Sequence, residues 1–553
     1  MLSRIILTAS VAFLICNISA AIAVPPSSAS VSGVKNVGWM PGVCSVASIG
    51  QLIQQKEPNI SAAEVVVRSG ICTQTAYISG VLVDHPRFLD MGEPTDVARL
   101  FGVGYSAGYK GRAPGIVKGA DSFTCFKTVD DAANWLKELI AAGTPVQVHA
   151  DTAYLANYGG IHGSHYVVVY GYDESSIYYC ENGGDDGTRE NMELNWDDFK
   201  AAWYDCYMVW LNNAPIRLDN DWILAWLARD IEMTNKTKSP TGPDAIRTAA
   251  AAIRKGINRN IALNGWMISV YGNWRPYMVE FLYDAGHPDL AVQFEQACAK
   301  WKTILDMPLS NPDWNVICDL MEQAVDIEEQ VEAQMLALGE GLDAVYLCAP
   351  QEGANLATLE DCTFRWAQMP DVSKTVLQLA MTGNFADKRV TGIFKPKKNK
   401  WFIAMSKKDW LKVLGKDDDD RLLSWRVSGQ GKDAGKVSAD WTLGWDVQQM
   451  VSTAPGGDYA MAENELVTFT FESPWVATKP CVAISTTGDF NDKSSRLVLK
   501  PKSGQTSVAF KSGTLSALKK KDDGDGIIYW RAEDASAKTT TVKPSEARSL
   551  LIP

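Results

Sequence analysis

His165-Tyr166-Val167-Val168-Val169-Tyr170-Gly171-Tyr172-Asp173 is a run of β-branched and aromatic residues that reads as one strand. Ile177 to Cys180 is a second such run, and Asp173-Glu174-Ser175-Ser176 between them is turn chemistry, so the pair reads as a hairpin with an imidazole at its mouth. Upstream, Pro145 to Val148 reads as a short strand, and Thr128 to Ala142 as a helix with an acidic first turn that stops at Gly143. Further upstream, Val46, Ile49, Leu52 and Ile53 recur at helical spacing after Pro41-Gly42, which sets Cys44 at the head of that helix. A leading helix followed by an antiparallel sheet is an α+β arrangement.

Two of these residues carry chemistry. The unpaired N–H groups and positive end of a helix N-terminus favour a thiolate, the form of cysteine that attacks carbonyls, and Cys44 stands at such an end. The competing reading is a buried or disulfide-bonded structural cysteine. His165, about 120 residues later on a strand, is rigidly aimed and fits the base that takes the thiol proton and returns it to a leaving group. A histidine at a strand start is otherwise an ordinary surface residue. A third group must orient the ring; Asn182, just beyond Cys180, is the candidate, with Asp173 in reserve.

Cys44 at a helix head, Leu139-Ile140-Ala141-Ala142-Gly143-Thr144-Pro145-Val146, the His165 strand and Leu194-Asn195-Trp196-Asp197-Asp198-Phe199 together resemble the papain-like cysteine peptidase superfamily. Within it the chain is most similar to the bacteriocin-leader-processing peptidases and to the N-terminal domain of the butirosin biosynthesis protein H type; Ala150-Asp151-Thr152-Ala153-Tyr154-Leu155 resembles the latter. The likeness covers about residues 36–213 and implies a catalytic set of Cys44, His165 and Asn182. The peptidases carry a Gln six residues before the nucleophile as an oxyanion donor, where this chain has Gly38; Asn36 or the backbone N–H of Cys44 would then serve.

The remainder of the chain sets the context. Its 553 residues exceed one hydrophobic core, and 46% apolar with 21% charged residues is an ordinary globular composition. A net charge of -12 without a Lys/Arg stripe argues against nucleic acid as partner. Residues 1–23 have the layout of a secretory signal peptide ending at Ala21-Ile22-Ala23, with an uncleaved anchor as the alternative; no later stretch reads as membrane-spanning. The expected location is therefore secreted, periplasmic or cell-surface. Ten cysteines then remain, and Cys180 with Cys206 is a plausible disulfide.

The expected domains are a papain-like domain over 24–216, a helical domain over 217–347, and two β-sandwiches over 348–456 and 457–553. The helical segments are Trp222 to Met233, Ala245 to Ile257, Pro288 to Leu305 and Trp314 to Leu338. The sandwiches rest on an internal repeat offset by 105 residues: Thr382-Gly383-Asn384-Phe385 returns as Thr487-Gly488-Asp489-Phe490, Lys395-Pro396-Lys397 as Lys500-Pro501-Lys502, and Trp425-Arg426 as Trp530-Arg531. They resemble immunoglobulin-like or fibronectin-type modules in general character. Asp417 to Asp420 and Asp522 to Asp525 read as solvated turns rather than calcium loops, and His162, His165 and Cys180 do not assemble a zinc site, so no metal and no cofactor is expected.

Three functions fit: an exported peptidase or amidase whose β-modules hold it on a surface or polymer, an acyltransferase of the butirosin type, or a non-catalytic surface protein with a degenerate papain-like domain. The substrate class of the first is a peptide, protein or amide.

Overall fold

The computed structural model describes residues 25–551 except 37–43, 73–74, 79–80, 85–94, 112–118, 183–188, 235–239, 258, 260–264, 308–311, 357–358, 360–361, 382, 387–390, 398–399, 415–421, 446–447, 457–458, 461–465, 475–476, 478, 493, 503–504, 512–526 and 537–541. The expected signal peptide, Gly38 and the two Asp-rich turns lie outside the described residues. No helix among the described residues is long and apolar enough to cross a membrane. The architecture is multidomain, with helices and several separate sheets.

The chain forms two compact units. The first comprises Met1–Ile60, Tyr105–Gly115 and Asp121–Asn212. Its described elements are β1 (Ala29–Ser30), α1 (Cys44–Lys56), β2 (Tyr105–Lys110), β3 (Phe123–Phe126), α2 (Val129–Ala141), β4 (Val146–Asp151), β5 (Ser164–Tyr172), β6 (Ser176–Cys180), β7 (Met192–Asn195), α3 (Trp196–Ala202) and β8 (Trp203–Leu211). They make one eight-stranded sheet ordered β3-β2-β8-β4-β5-β6-β7, with β1 on β5; only β2 and β3 pair in parallel. The α2 start expected at Thr128 is a capping box, in which Thr128 and Asp131 satisfy each other's backbone N–H.

Strand alternation assigns the two faces of this sheet. Val146, Val148, Val167 and Val169 pack with Ala132, Leu136 and Ile140 of α2. Gln147, between two of those valines, therefore points to the opposite face, where its Nε2 donates to Ser45 O at 3.0 Å and Ser48 Oγ at 2.7 Å on α1. The helix that carries Cys44 is thus bolted to the sheet that carries His165.

Ser61–Gly104 belongs to the second unit, not to the domain expected over 24–216. The helix Ala62–Arg68 buries Val65, Val66, Val67 and Arg68, packs on the helix Gly265–Asp284, and donates from Arg68 to Leu100 O and Leu218 O at 2.8 and 3.4 Å. The expected helices are present as Asn220–Thr234, Gly242–Arg254, Pro288–Leu305 and Trp314–Leu338. Gly265–Asp284 was not expected, because Pro276 inside it removes a donor and interrupts the pattern. Buried Arg275 beside that proline is bidentate to buried Glu328, at 2.5 and 2.8 Å.

The repeat is structural. Each copy pairs a three-stranded with a five-stranded sheet. Thr375–Ala380 and Pro480–Ser485, Thr391–Phe394 and Arg496–Leu499, and Leu422–Gly429 and Ile527–Asp534 are strands that stand 105 residues apart. Trp425 meets Phe364 edge-on at 5.0 Å and Trp530 meets Phe469 at 4.9 Å, while Arg426 over Phe385 and Arg531 over Phe490 both measure 4.2 Å. Both indoles are fully buried, and neither Nε1 has a hydrogen-bond partner among the described residues. Trp425→Ala and Trp530→Ala should each cost about 3–5 kcal/mol. Replacement by Phe should cost markedly less, since no hydrogen bond is lost; denaturant-dependent hydrogen exchange over 345–551 of the full chain measures both.

Candidate functional site

Cys44 is the first residue of α1, and its side chain is half-buried. His165 is the second residue of β5, its ring 12% exposed, and it lies within electrostatic reach of the Cys44 thiol. The ring's Nε2 bonds Glu181 Oε1 at 2.5 Å and lies 3.2 Å from the Tyr158 hydroxyl, which leaves Nδ1 for the sulfur. Glu181 is only 2% exposed and accepts a second bond at 3.0 Å from the backbone N–H of Asn182. A buried carboxylate held by a ring N–H and a backbone N–H orients the imidazole and favours its charged form.

The structure thus brings Cys44 and His165 together and places Glu181, rather than Asn182, on the ring. The Asn182 side chain is committed elsewhere: its Nδ2 donates to Cys44 O at 3.0 Å and to Tyr166 O at 2.6 Å. The reserve candidate Asp173 serves its own turn, accepting from Ser175, Ser176 and Tyr178. Glu181 and Asn182 are consecutive, so only the register of β6 against β5, with Cys180 opposite Val168, decides which side chain reaches the ring. The signal in the sequence was a carboxylate ending an apolar strand.

The electrostatics follow from these contacts. Burial pushes the His165 pKa down, but hydrogen bonds to the Cys44 thiol and the Glu181 carboxylate, with the charge they carry, raise it to about 9. Its neighbour His149 behaves oppositely: burial lowers it to about 4, and the neutral ring stacks on Tyr166 at 4.5 Å with Nε2 on Ser164 Oγ at 2.7 Å. His162 is turned outward and pairs with Asp151 at 2.8 Å, apart from His165 and its partner. The expected Cys180–Cys206 bridge is not made, since all ten described cysteines are free thiols. Burial raises Cys180 to about 12 and Cys206 to about 11, so both behave as apolar core residues. Asn36, the alternative oxyanion donor, gives its backbone N–H to Glu190 at 2.9 Å.

Residues 116–181 match the family described as Butirosin biosynthesis protein H, N-terminal. The match takes in α2, the His165 strand and Glu181, and this stretch is similar to that family, as its sequence reads. Among solved structures, one described as a C39-like peptidase from Bacillus anthracis is 13% identical, covering 34% of this chain and 99% of its own, with a TM-score of 0.23. The fibronectin(III)-like modules of CbhA from Clostridium thermocellum are 11% identical, over 38% of this chain and 92% of theirs, at a TM-score of 0.12. The ectodomain of a teleost fish polymeric Ig receptor is 12% identical, over 38% of this chain and 97% of its own, at 0.15. Comparison with curated proteins gives no match.

The raised His165 pKa has a stability consequence. A group lifted from 6.5 to about 9 stabilises the fold fully below the lower value, and that contribution is lost as pH rises through the upper one. Glu181→Gln removes the charge but keeps an acceptor, so it should lower the melting temperature more at pH 6 than at pH 10. Equal losses at the two pH values would count against the ion pair.

Proposed function

We propose that the first unit is a thiol hydrolase that cleaves a peptide or amide bond through an acyl-enzyme on Cys44. The observation that carries this reading is the contact of Cys44 with a His165 ring whose far nitrogen is held by buried Glu181. The Cys44 sulfur adds to the carbonyl carbon, and backbone N–H groups at the head of α1 face the developing oxyanion. His165 gives its proton to the departing amine as the C–N bond breaks, leaving a thioester. A water then attacks, surrendering a proton to His165, and the sulfur leaves. Glu181 keeps the ring aimed and its charge compensated throughout, the role first assigned to Asn182. Export and tethering through the two sandwiches to a surface or polymer complete the proposal, on the strength of the apolar leader pattern and the repeat.

The butirosin-type match favours a second reading, in which an amine rather than water takes the acyl group from the Cys44 thioester. The two share every residue named here and differ only in the acceptor. A product assay with water and added amines in competition separates them.

Cys44→Ala should lower turnover by about 10³-fold or more with folding intact. In the active protein, kcat/KM should fall as pH rises above about 9, because the leaving amine then finds no proton on His165. An unchanged rate in Cys44→Ala on any substrate cleaved would end the reading.

A further inference from the structure

Asn182 is 3% exposed, and its amide spans two main chains. Its Nδ2 reaches Cys44 O, on the first residue of α1, and Tyr166 O, next to His165 on β5. The β5–β6 register explains the second bond. Cys180 pairs with Val168, and the same antiparallel register two residues further sets Asn182 opposite Tyr166. The sheet ladder therefore ends in a side-chain amide that fills the Tyr166 acceptor and continues across to the nucleophile's helix. The Cys44 carbonyl is held from its own helix as well, by Ser48 Oγ at 2.6 Å, and Gln147 grips Ser45 one residue along.

We propose that Asn182 is a positioning residue that sets the separation of the Cys44 thiol and the His165 ring by tying the backbone of one to the backbone of the other. It acts without touching the ring. Its backbone N–H, which holds Glu181, is retained whatever side chain stands at 182. Substitution there therefore loosens the distance between thiol and base while leaving the base's own partner in place. Two hydrogen bonds from one buried amide make this tie, beside the one that Gln147 makes to Ser45 and Ser48, and an angstrom of slack between reacting groups costs up to about 100-fold in rate.

The inference rests on the proposed Cys44–His165 pair, and its test separates the two. Iodoacetamide labelling of the full chain, resolved by peptide mass spectrometry, gives the rate at Cys44 relative to Cys125, an exposed thiol of the same unit that serves as an internal standard. At pH 6 the wild-type ratio should be well above one and should collapse in His165→Ala; a ratio near one in the wild type overturns the pair itself. Asn182→Ala should lower the ratio by about 10- to 100-fold at pH 6 and bring it back to the wild-type value at pH 10. Asn182→Ser, which keeps one donor, should fall between. Cys72, Cys180 and Cys206 are buried and should stay unlabelled, which certifies folding. A wild-type ratio in Asn182→Ala, alongside a collapsed one in His165→Ala, overturns the positioning role and spares the pair. Unfolding of both Asn182 variants would assign the amide to the fold and overturn it equally.

Discussion

The bond between the His165 ring and the Glu181 carboxylate is the constraint on which the rest of the site depends. At 2.5 Å, and with the carboxylate almost wholly enclosed, it is charge-assisted and largely shielded from solvent. A buried carboxylate is costly unless it is hydrogen-bonded, and here the ring and the Asn182 N–H both reach its Oε1. Once Nε2 is claimed, the imidazole has one orientation and one free nitrogen. The helix carrying Cys44 is brought to that nitrogen by polar ties, from Gln147 on one strand and Asn182 beyond another, rather than by apolar packing alone.

Much of this was legible in the sequence, and the exceptions have physical causes. The hairpin of β5 and β6 was readable because β-branched residues and an Asx-type turn agree locally. The places of Cys44 at a helix head and His165 at a strand start were readable because the helical spacing of Val46, Ile49, Leu52 and Ile53 and the β-branched run after His165 fix those elements locally. Glu181 was not, since choosing between two consecutive residues needs the strand register, a property of paired chains that one strand does not display. The assignment of Ser61–Gly104 to the second unit was equally hidden. Its helix did carry a readable start, the capping box Ser61-Ala62-Ala63-Glu64, but the helix it packs against is interrupted by Pro276. Buried Cys180 and Cys206 show why cysteine counts mislead: a desolvated thiol is a small apolar side chain, and parity says nothing of distance.

The C-terminal repeat teaches a different lesson. Matching strands, aromatic pairs and Arg–Phe contacts recur at one fixed offset, so the two copies solve one packing problem twice. A fully buried tryptophan, Trp425 in one copy and Trp530 in the other, stands at the matching place of each core. The residues of the proposed acyl chemistry all belong to the first unit and none to that repetition. The proposed reactive groups come from a single helix and a single strand hairpin.

The proton on His165 is the most direct reporter of the ion pair with Glu181. Its ring nitrogens, followed by NMR in protein labelled at histidine, should stay doubly protonated at neutral pH and titrate near 9, and should fall toward the ordinary 6.5 in Glu181→Gln. A wild-type ring that titrates at or below 6.5, unmoved by that substitution, would contradict it.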